Sequence, residues 1–283
     1  MSYKFPRTTV AGVSLSRMII GTNWLAGWGH RTPSADRHIK NTHAQAASIT
    51  PLLSAYMESG VDTIMAPFAQ TPVICEAIRI TEETFGRKFI LIDTPILNVA
   101  DDATSRAEAT ATIKKSRELG ATFCLPHHSS VERLVDKHAE KIHRLADYTK
   151  IIRDEGLIPG LSAHMPELVV YSDKNGYDVE TYIQIYNCLG FLMQTEIEAV
   201  AGIIHAAKKP VMTIKPMAAG RVTPYVGLNF SWATLRDCDM VAVGSFSADE
   251  VLENIEISRA AFERRYPDLE RRQSPNNAQA ALG

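Results

Sequence analysis

The sequence predicts an α/β chain of the (β/α)8 TIM-barrel class, with an N-terminal β-hairpin across one end and a long loop after the first strand. Three observations predict it. Short apolar runs alternate with longer stretches of helical periodicity, the pattern of parallel strands joined by crossover helices. Eight such runs can be counted, enough for a parallel sheet to close on itself. At 283 residues with 45% apolar and 22% charged content, the chain is long enough to bury one barrel core without splitting.

The strand-like runs are 18–21, 62–66, 89–93, 121–126, 158–164, 182–187, 211–217 and 240–245. Helical stretches fit between them at 50–59, 73–85, 103–119, 130–155 and 196–208. Gly60, Gly86, Gly120 and Gly156 follow four of these, where a left-handed residue closes a helix. After the last strand, Ser247-Ala248-Asp249-Glu250 reads as a capping box, in which Ser and Glu side chains satisfy free N–H groups at a helix start that runs on to about Arg264. Residues 1–272 thus read as one barrel domain, and the polar, aperiodic stretch 273–283 as a flexible tail.

The net charge of -2 leaves no global field to attract nucleic acid or an anionic membrane. No apolar stretch reaches the ~18 residues needed to span a bilayer, and the start MSYKFPRTT lacks the apolar core of a secretory signal. Together these point to a cytoplasmic protein whose partner is a small molecule; nothing in the sequence specifies an oligomer. Cys75, Cys124, Cys188 and Cys238 form no CxxC pair and read as reduced, buried thiols.

In a parallel barrel the polar residues at the C-terminal strand ends converge on one mouth. That rule selects Asn23, Asp93, His127, His128, His164, Asn187 and Lys215. Asp93, one of the paired histidines and His164 come from consecutive strands, spaced ~4.8 Å at the backbone, so they could meet around one divalent ion such as Zn, Mn or Fe. No HxH or HExxH spacing fixes two ligands on one element, so a metal-free polar mouth stands beside that reading. Lys215 reads either as a buried cation, base or imine-forming amine, or as half of a salt bridge with Asp62 inside the barrel.

Ala218, Ala219 and Gly220 would let a ligand approach the backbone beside Arg221, taken as a substrate-binding candidate. The segment from Trp24 to Thr50 is long for a βα connection and dense in aromatic and ionisable groups, so it reads as a lid or site wall or as a solvated, partly helical insertion. Within it, His30 could close the mouth, while Trp24 and Trp28 could stack on a ring-containing substrate or pack the loop.

The opening YKFPRTTVAGVSLSRMIIGTN resembles the start of the aldo-keto reductases, in which a hairpin plugs the barrel bottom. GVDTIMAP is similar to that family's second strand, GLSAH to its fifth, QIYN to its sixth, TIKPMAAGR to its seventh, and VAVGSFSADEVLENI to its eighth strand and following helix. The chain also resembles a poorly described branch marked by a GxN…GWxH segment, a GxGAH-like fifth strand and KxxAAG in the seventh. The resemblance implies hydride transfer from NAD(P)H by an Asp, Tyr, Lys and His set. Asp62 falls on the Asp, and His127 or His128 on the His, but Pro67 stands at the Tyr position and Pro95 at or beside the Lys position. Proline neither donates a proton nor carries charge. The family's basic contacts to NADP after strand eight are here replaced by Asp249 and Glu250.

These departures predict an enzyme without NAD(P)H that performs acid–base or metal-assisted chemistry, of lyase, isomerase or hydrolase type, on a small carbonyl or sugar-like polyhydroxy compound. In that scheme Asp93, His127 or His128 and His164 bind a metal or move protons, and Lys215 stabilises a developing oxyanion. The alternatives are a divergent NAD(P)H-dependent oxidoreductase, with His127 or His128 as acid, and a non-catalytic ligand-binding barrel.

Overall fold

A computed structural model describes residues 4–269. The hairpin comes first, β1 (Arg7–Val10) pairing antiparallel with β2 (Val13–Ser16) around a turn at Ala11-Gly12. The barrel then runs β3 (Met18–Gly21), β4 (Thr63–Ala66), β5 (Ile90–Asp93) and β6 (Phe123–Cys124). A small hairpin, β7 (Val135–Asp136) with β8 (Lys141–Ile142), follows outside the barrel. The fifth barrel strand is split into β9 (Ile158–Pro159) and β10 (Leu161–Ser162), and β11 (Tyr182–Ile185), β12 (Val211–Ile214) and β13 (Met240–Gly244) complete the ring.

All barrel pairs are parallel. The order is β10-β11-β12-β13-β3-β4-β5-β6-β9, and because β9 and β10 are two halves of one strand, the sheet closes. The break falls at Gly160, whose N–H bonds to Cys124 on one side while the next residue, Leu161, bonds to Thr181 on the other. A Cβ at Gly160 would stand 2.6 Å from Leu125 Cγ and 3.0 Å from Thr181 Cγ2, so the backbone passes where no side chain fits.

Alternation along the strands separates two cores. Inside the barrel, Ile19, Ile92, Phe123, Leu125, Ile183, Met212, Met240 and Ala242 pack together, closed at the N-terminal end by Val10 and Leu15 of the hairpin. A larger shell lies between sheet and helices, formed by residues such as Ile20, Ile64, Leu91, Leu161 and Val243. The hairpin is also tied by charge, since Arg7 Nη1 donates to both carboxylate oxygens of Asp62 at 2.9 and 3.0 Å.

The helices follow the expected order with three differences. The stretch 130–155, expected as one helix, is a short helix at His128–Val131, a 3-10 turn at Glu132–Leu134, the β7–β8 hairpin, and only then a helix at Leu145–Asp154. Two helices without a counterpart among the expected stretches occupy Glu167–Asn175 and Pro224–Thr234. At the last helix, Ala248–Glu263, Ser247 Oγ accepts from the Glu250 N–H as expected, but the Glu250 carboxylate reaches back to Phe246 N–H at 2.8 Å, one residue further than a capping box would place it. Gly60, Gly86, Gly120 and Gly156 all take the left-handed conformation expected of them. The four thiols are free, though only Cys124 is buried. Among the described residues no helix is long and apolar enough to cross a membrane. The stretch 273–283 lies outside the described residues.

Gly160→Ala is expected to destabilise the fold by ~1–3 kcal/mol, the usual cost of overpacking a filled core. Urea denaturation checks it: a midpoint equal to that of the parent would show that Leu125 yields freely.

Candidate active site

The C-terminal strand ends open into a cavity of about 850 Å³. Its walls come from most of the strand exits and from the long segment after β3. That segment is a helical lid, with short helix Asn23–Ala26, helix Pro33–Thr42 capped by Thr32, and helix Ala46–Glu58 beginning within its end. His38 and His43 pack their rings on Phe246 beyond β13, at centroid distances of 5.7 and 5.0 Å, which docks the lid on the rim. Asp36 accepts from the Gly29 N–H at 3.0 Å and fixes the turn that carries His30.

Three imidazoles meet at the exits of the fourth and fifth strands. His128 stacks on His164 with ring centroids 3.5 Å apart and planes 18° from parallel, and His127 lies 4.2 Å from His128. Alternation explains the arrangement on the fifth strand: Leu161 and Ala163 face the outer shell, so Ser162 and His164 face the cavity. His127 continues the inward set Phe123 and Leu125 on the fourth. Burial, then the charges of His128 and Lys215, push His164 down to about 3, and burial with His128 pushes His127 down to about 4. Both are therefore neutral near pH 7.

Glu132 joins this cluster from the 3-10 turn. One carboxylate oxygen accepts from His164 N–H at 2.6 Å and Met165 N–H at 3.2 Å, and the other faces His128 Nδ1 at 3.4 Å. Burial pushes its carboxyl upward, but the His128 and His164 hydrogen bonds prevail and hold it below the usual range.

Lys215 follows β12 with φ of +62°, a left-handed backbone that costs a non-glycine residue ~1 kcal/mol. Ala218, Ala219 and Gly220 continue the left-handed stretch at +48°, +57° and +77°. Lys215 is half-buried and has no salt-bridge partner among the described residues, and burial alone pulls its ammonium down to about 8. Arg221 is fixed by the carbonyls of Ala218 and His30, at 3.1 and 3.3 Å, with its guanidinium 4.0 Å above the Phe191 ring. It thus ties the lid to the seventh and sixth strand exits. Trp24 lies against Gly220 and Gly244, where an added Cβ would meet its ring at 3.4 and 3.2 Å.

Of the residues singled out from sequence, Asn23, Trp24, Trp28, His30, His127, His128, His164, Lys215 and Arg221 all line this cavity. Three do not. Asp62 precedes β4 at the N-terminal end, where it is bound to Arg7, so it neither partners Lys215 nor reaches the mouth. Asn187 is fully buried and folds its own loop, accepting from Leu189 and Phe191 N–H and donating to Phe191 O. Asp93 follows inward-facing Ile92 and so turns outward, 1% exposed, accepting from Phe68 N–H at 3.1 Å among the helices.

The expected ligand set of Asp93, His127, His128 and His164 is therefore not assembled. Among the described residues no three His, Cys, Asp or Glu side chains are arranged to hold a metal. The sequence reading missed Glu132, which bonds to the histidine cluster from outside the cavity, and gave no site role to Arg31, Ser162, Glu253 and Asn254, which line it.

Because the folded chain holds the Lys215 proton less tightly than the ordinary value of 10.5, wild-type stability should rise as pH climbs from about 8 to 10.5. Lys215→Met removes that penalty. The variant is expected to be more stable than wild type by ~1–2 kcal/mol at pH 7, allowing for solvent that still reaches the ammonium, with the gap closing by pH 10.5. Denaturant titrations at pH 7 and pH 10 check this; a variant less stable at pH 7 would mean that the charge is compensated.

No family model matches the sequence, and no curated relative does. Solved structures do. A Pseudomonas aeruginosa protein described as an aldo-keto reductase superposes with a TM-score of 0.64 at 16% identity, over 93% of this chain and 98% of that one. A glycerol dehydrogenase from Gluconobacter oxydans gives 0.61 at 12% identity, over 95% and 98%. An aldose reductase from Giardia lamblia gives 0.54 at 14%, over 99% and 92%. At these identities the likeness is one of fold: the chain has a barrel of the aldo-keto reductase type.

Proposed function

We propose that the chain is an enzyme that moves a proton next to a carbonyl group, by isomerisation or elimination, on a small carbonyl or polyhydroxy compound. The observation that carries this reading is Lys215, a half-buried amine with no counter-ion among the described residues, beside neutral imidazoles at the barrel mouth. A proton-transfer group works best when its pKa lies near the working pH, and burial brings Lys215 to about 8.

In its neutral form Lys215 Nζ takes a proton from the carbon beside the carbonyl and becomes the ammonium. The carbon–hydrogen bonding pair moves into the carbon skeleton, and charge gathers on the carbonyl oxygen as an enolate. Neutral His127 and His164 each retain one N–H, which can donate to that oxygen without carrying positive charge themselves. In an isomerisation the proton of the adjacent hydroxyl passes to the enolate oxygen, and the ammonium returns its proton to the former carbonyl carbon as the other oxygen becomes the carbonyl. In an elimination the enolate pair re-forms the carbonyl and expels the hydroxyl on the next carbon, which takes the proton from the ammonium and leaves as water. Trp24 and Trp28 supply flat walls for a polyhydroxy substrate, and the lid with His30 limits the access of water. Metal-assisted chemistry is left out of this scheme because Asp93 turns away from the histidines.

A second reading, a nicotinamide-dependent oxidoreductase, is favoured by one feature: the cavity runs on past Gly220 and Gly244 to the start of the last helix. Its volume of about 850 Å³ lies within the ~300–1,000 Å³ of small-molecule and cofactor sites. Glu250 and Glu253 line that end, so a ribose 2′-phosphate would meet carboxylates there, and NADH suits it better than NADPH.

The test is solvent exchange. A panel of hydroxyaldehydes, hydroxyketones and aldonic or keto acids is incubated with the protein in D2O, and deuterium at the carbon beside the carbonyl is read by proton NMR. Exchange is expected for at least one class. Its kcat/KM should rise with pH through about 8 as Lys215 loses its proton, and Lys215→Met should lower it ~10²–10⁴-fold. Quenching of NADH fluorescence with no exchange would establish the second reading instead, and neither signal would leave a binding barrel.

A further inference from the structure

The mechanism above leaves one half-buried carboxylate beside the mouth without a task. Glu132 does not line the cavity, yet all its hydrogen bonds go to the histidine cluster and its backbone. We propose that Glu132 is a positioning residue that clamps the fourth and fifth strand exits together and fixes the tautomer of His128, so that His128 and His164 stack with defined proton positions.

The clamp is visible in its bonds. Glu132 belongs to the turn after β6, and its Oε1 accepts from two successive N–H groups, His164 and Met165, on the loop after β10. A carboxylate held by two amides cannot swing away, and its other oxygen, Oε2, faces His128 Nδ1. An ionised carboxylate only accepts, so the facing Nδ1 must carry a proton. Two rings stacked at 3.5 Å cannot both be charged at low cost.

The remaining surroundings enforce an asymmetry between the rings. His127 and Lys215 are the other titratable groups acting on His164, and both disfavour its charge, whereas Glu132 favours a charge on the cluster and faces His128 directly. His164 stays neutral, and the carboxylate of Glu132 lies against the ring of His128 rather than that of His164. The stack is thereby a pair of imidazoles in unlike surroundings, one facing a carboxylate and one not.

The consequence for function rests on the proton-transfer reading, but the test does not. Imidazole nitrogens are observed by two-dimensional 15N–1H NMR on the full chain in wild type, Glu132→Gln and Glu132→Ala, with assignments from His128→Gln and His164→Gln. Wild type should show His128 protonated on Nδ1. In Glu132→Gln the single amide oxygen stays with the His164 and Met165 N–H groups, so the NH2 faces His128 and should invert its tautomer to Nε2–H. Melting should change little there.

In Glu132→Ala the His164 ring signals should broaden or shift as the stack loosens. An Nε2–H tautomer for His128 in wild type, or unchanged His128 and His164 signals in both folded variants, would overturn the proposal. Should a substrate be found by deuterium exchange, Glu132→Gln should lower kcat ~10-fold or more with KM nearly unchanged, as expected of a residue that acts through another. Failure of the exchange assay alone would remove the reaction and leave the clamp standing.

Discussion

Closure of the sheet is the constraint on which everything else in the molecule depends. The pairing of Met18–Gly21 with 241–244 joins the first strand to the last, and the split fifth strand joins the fourth to the sixth. Once closed, the ring leaves no free edge, and every strand ends at one mouth. Polar side chains that would be solvated on an open sheet are drawn together into one cavity. The neutral state of His127 and His164 and the weakened basicity of Lys215 share this first cause, burial, to which mutual repulsion adds for the two histidines.

Closure also requires small residues where segments cross. Gly160 lets the fifth strand shift its bonding from Cys124 to Thr181, and Gly227 brings the helix Pro224–Thr234 so near the Pro216 carbonyl that a Cβ would stand 2.5 Å away. The second contact presses on the loop that carries Lys215. Its left-handed backbone is thus held by packing on one side and by Arg221, bound to the Ala218 carbonyl, on the other. Strain of this kind persists only where the surroundings impose it.

Much of this was legible in the sequence, since apolar runs interrupted by amphipathic stretches marked all eight barrel strands and helix-closing glycines marked their spacing. The strand-end rule then found Asn23, His127, His128, His164 and Lys215, which all line the cavity. It failed where side-chain direction was left unread. Counting from Ile92 by twos would have turned Asp93 outward, and Asp62, singled out by the family resemblance rather than by this rule, lies at its strand's start. The same counting, begun at Leu161, would have found Ser162. Glu132 was hidden for a different reason. The stretch 130–155 has helical periodicity throughout, and only tertiary contacts reveal the turn and hairpin that break it, such as Tyr177 hydroxyl accepting from Ile142 N–H. Asn187 looked like a mouth residue because a side chain that folds its own loop has no signature distinct from one that faces a ligand.

The likeness to aldo-keto reductases is one of fold and extends over the barrel, while the chemistry proposed for the mouth is centred on a lysine and a histidine stack. What unites the site is that Lys215 has lost hydration without gaining a counter-ion among the described residues. The most direct measurement of that condition is titration of the Lys215 side chain itself, followed by 13Cε NMR on lysine-labelled protein with Lys215→Met as the assignment control. A midpoint near 8, separate from the remaining lysines, is the expected result. A midpoint at the ordinary value near 10.5 would show that Lys215 is solvated or paired, and would contradict its role as the base of the site.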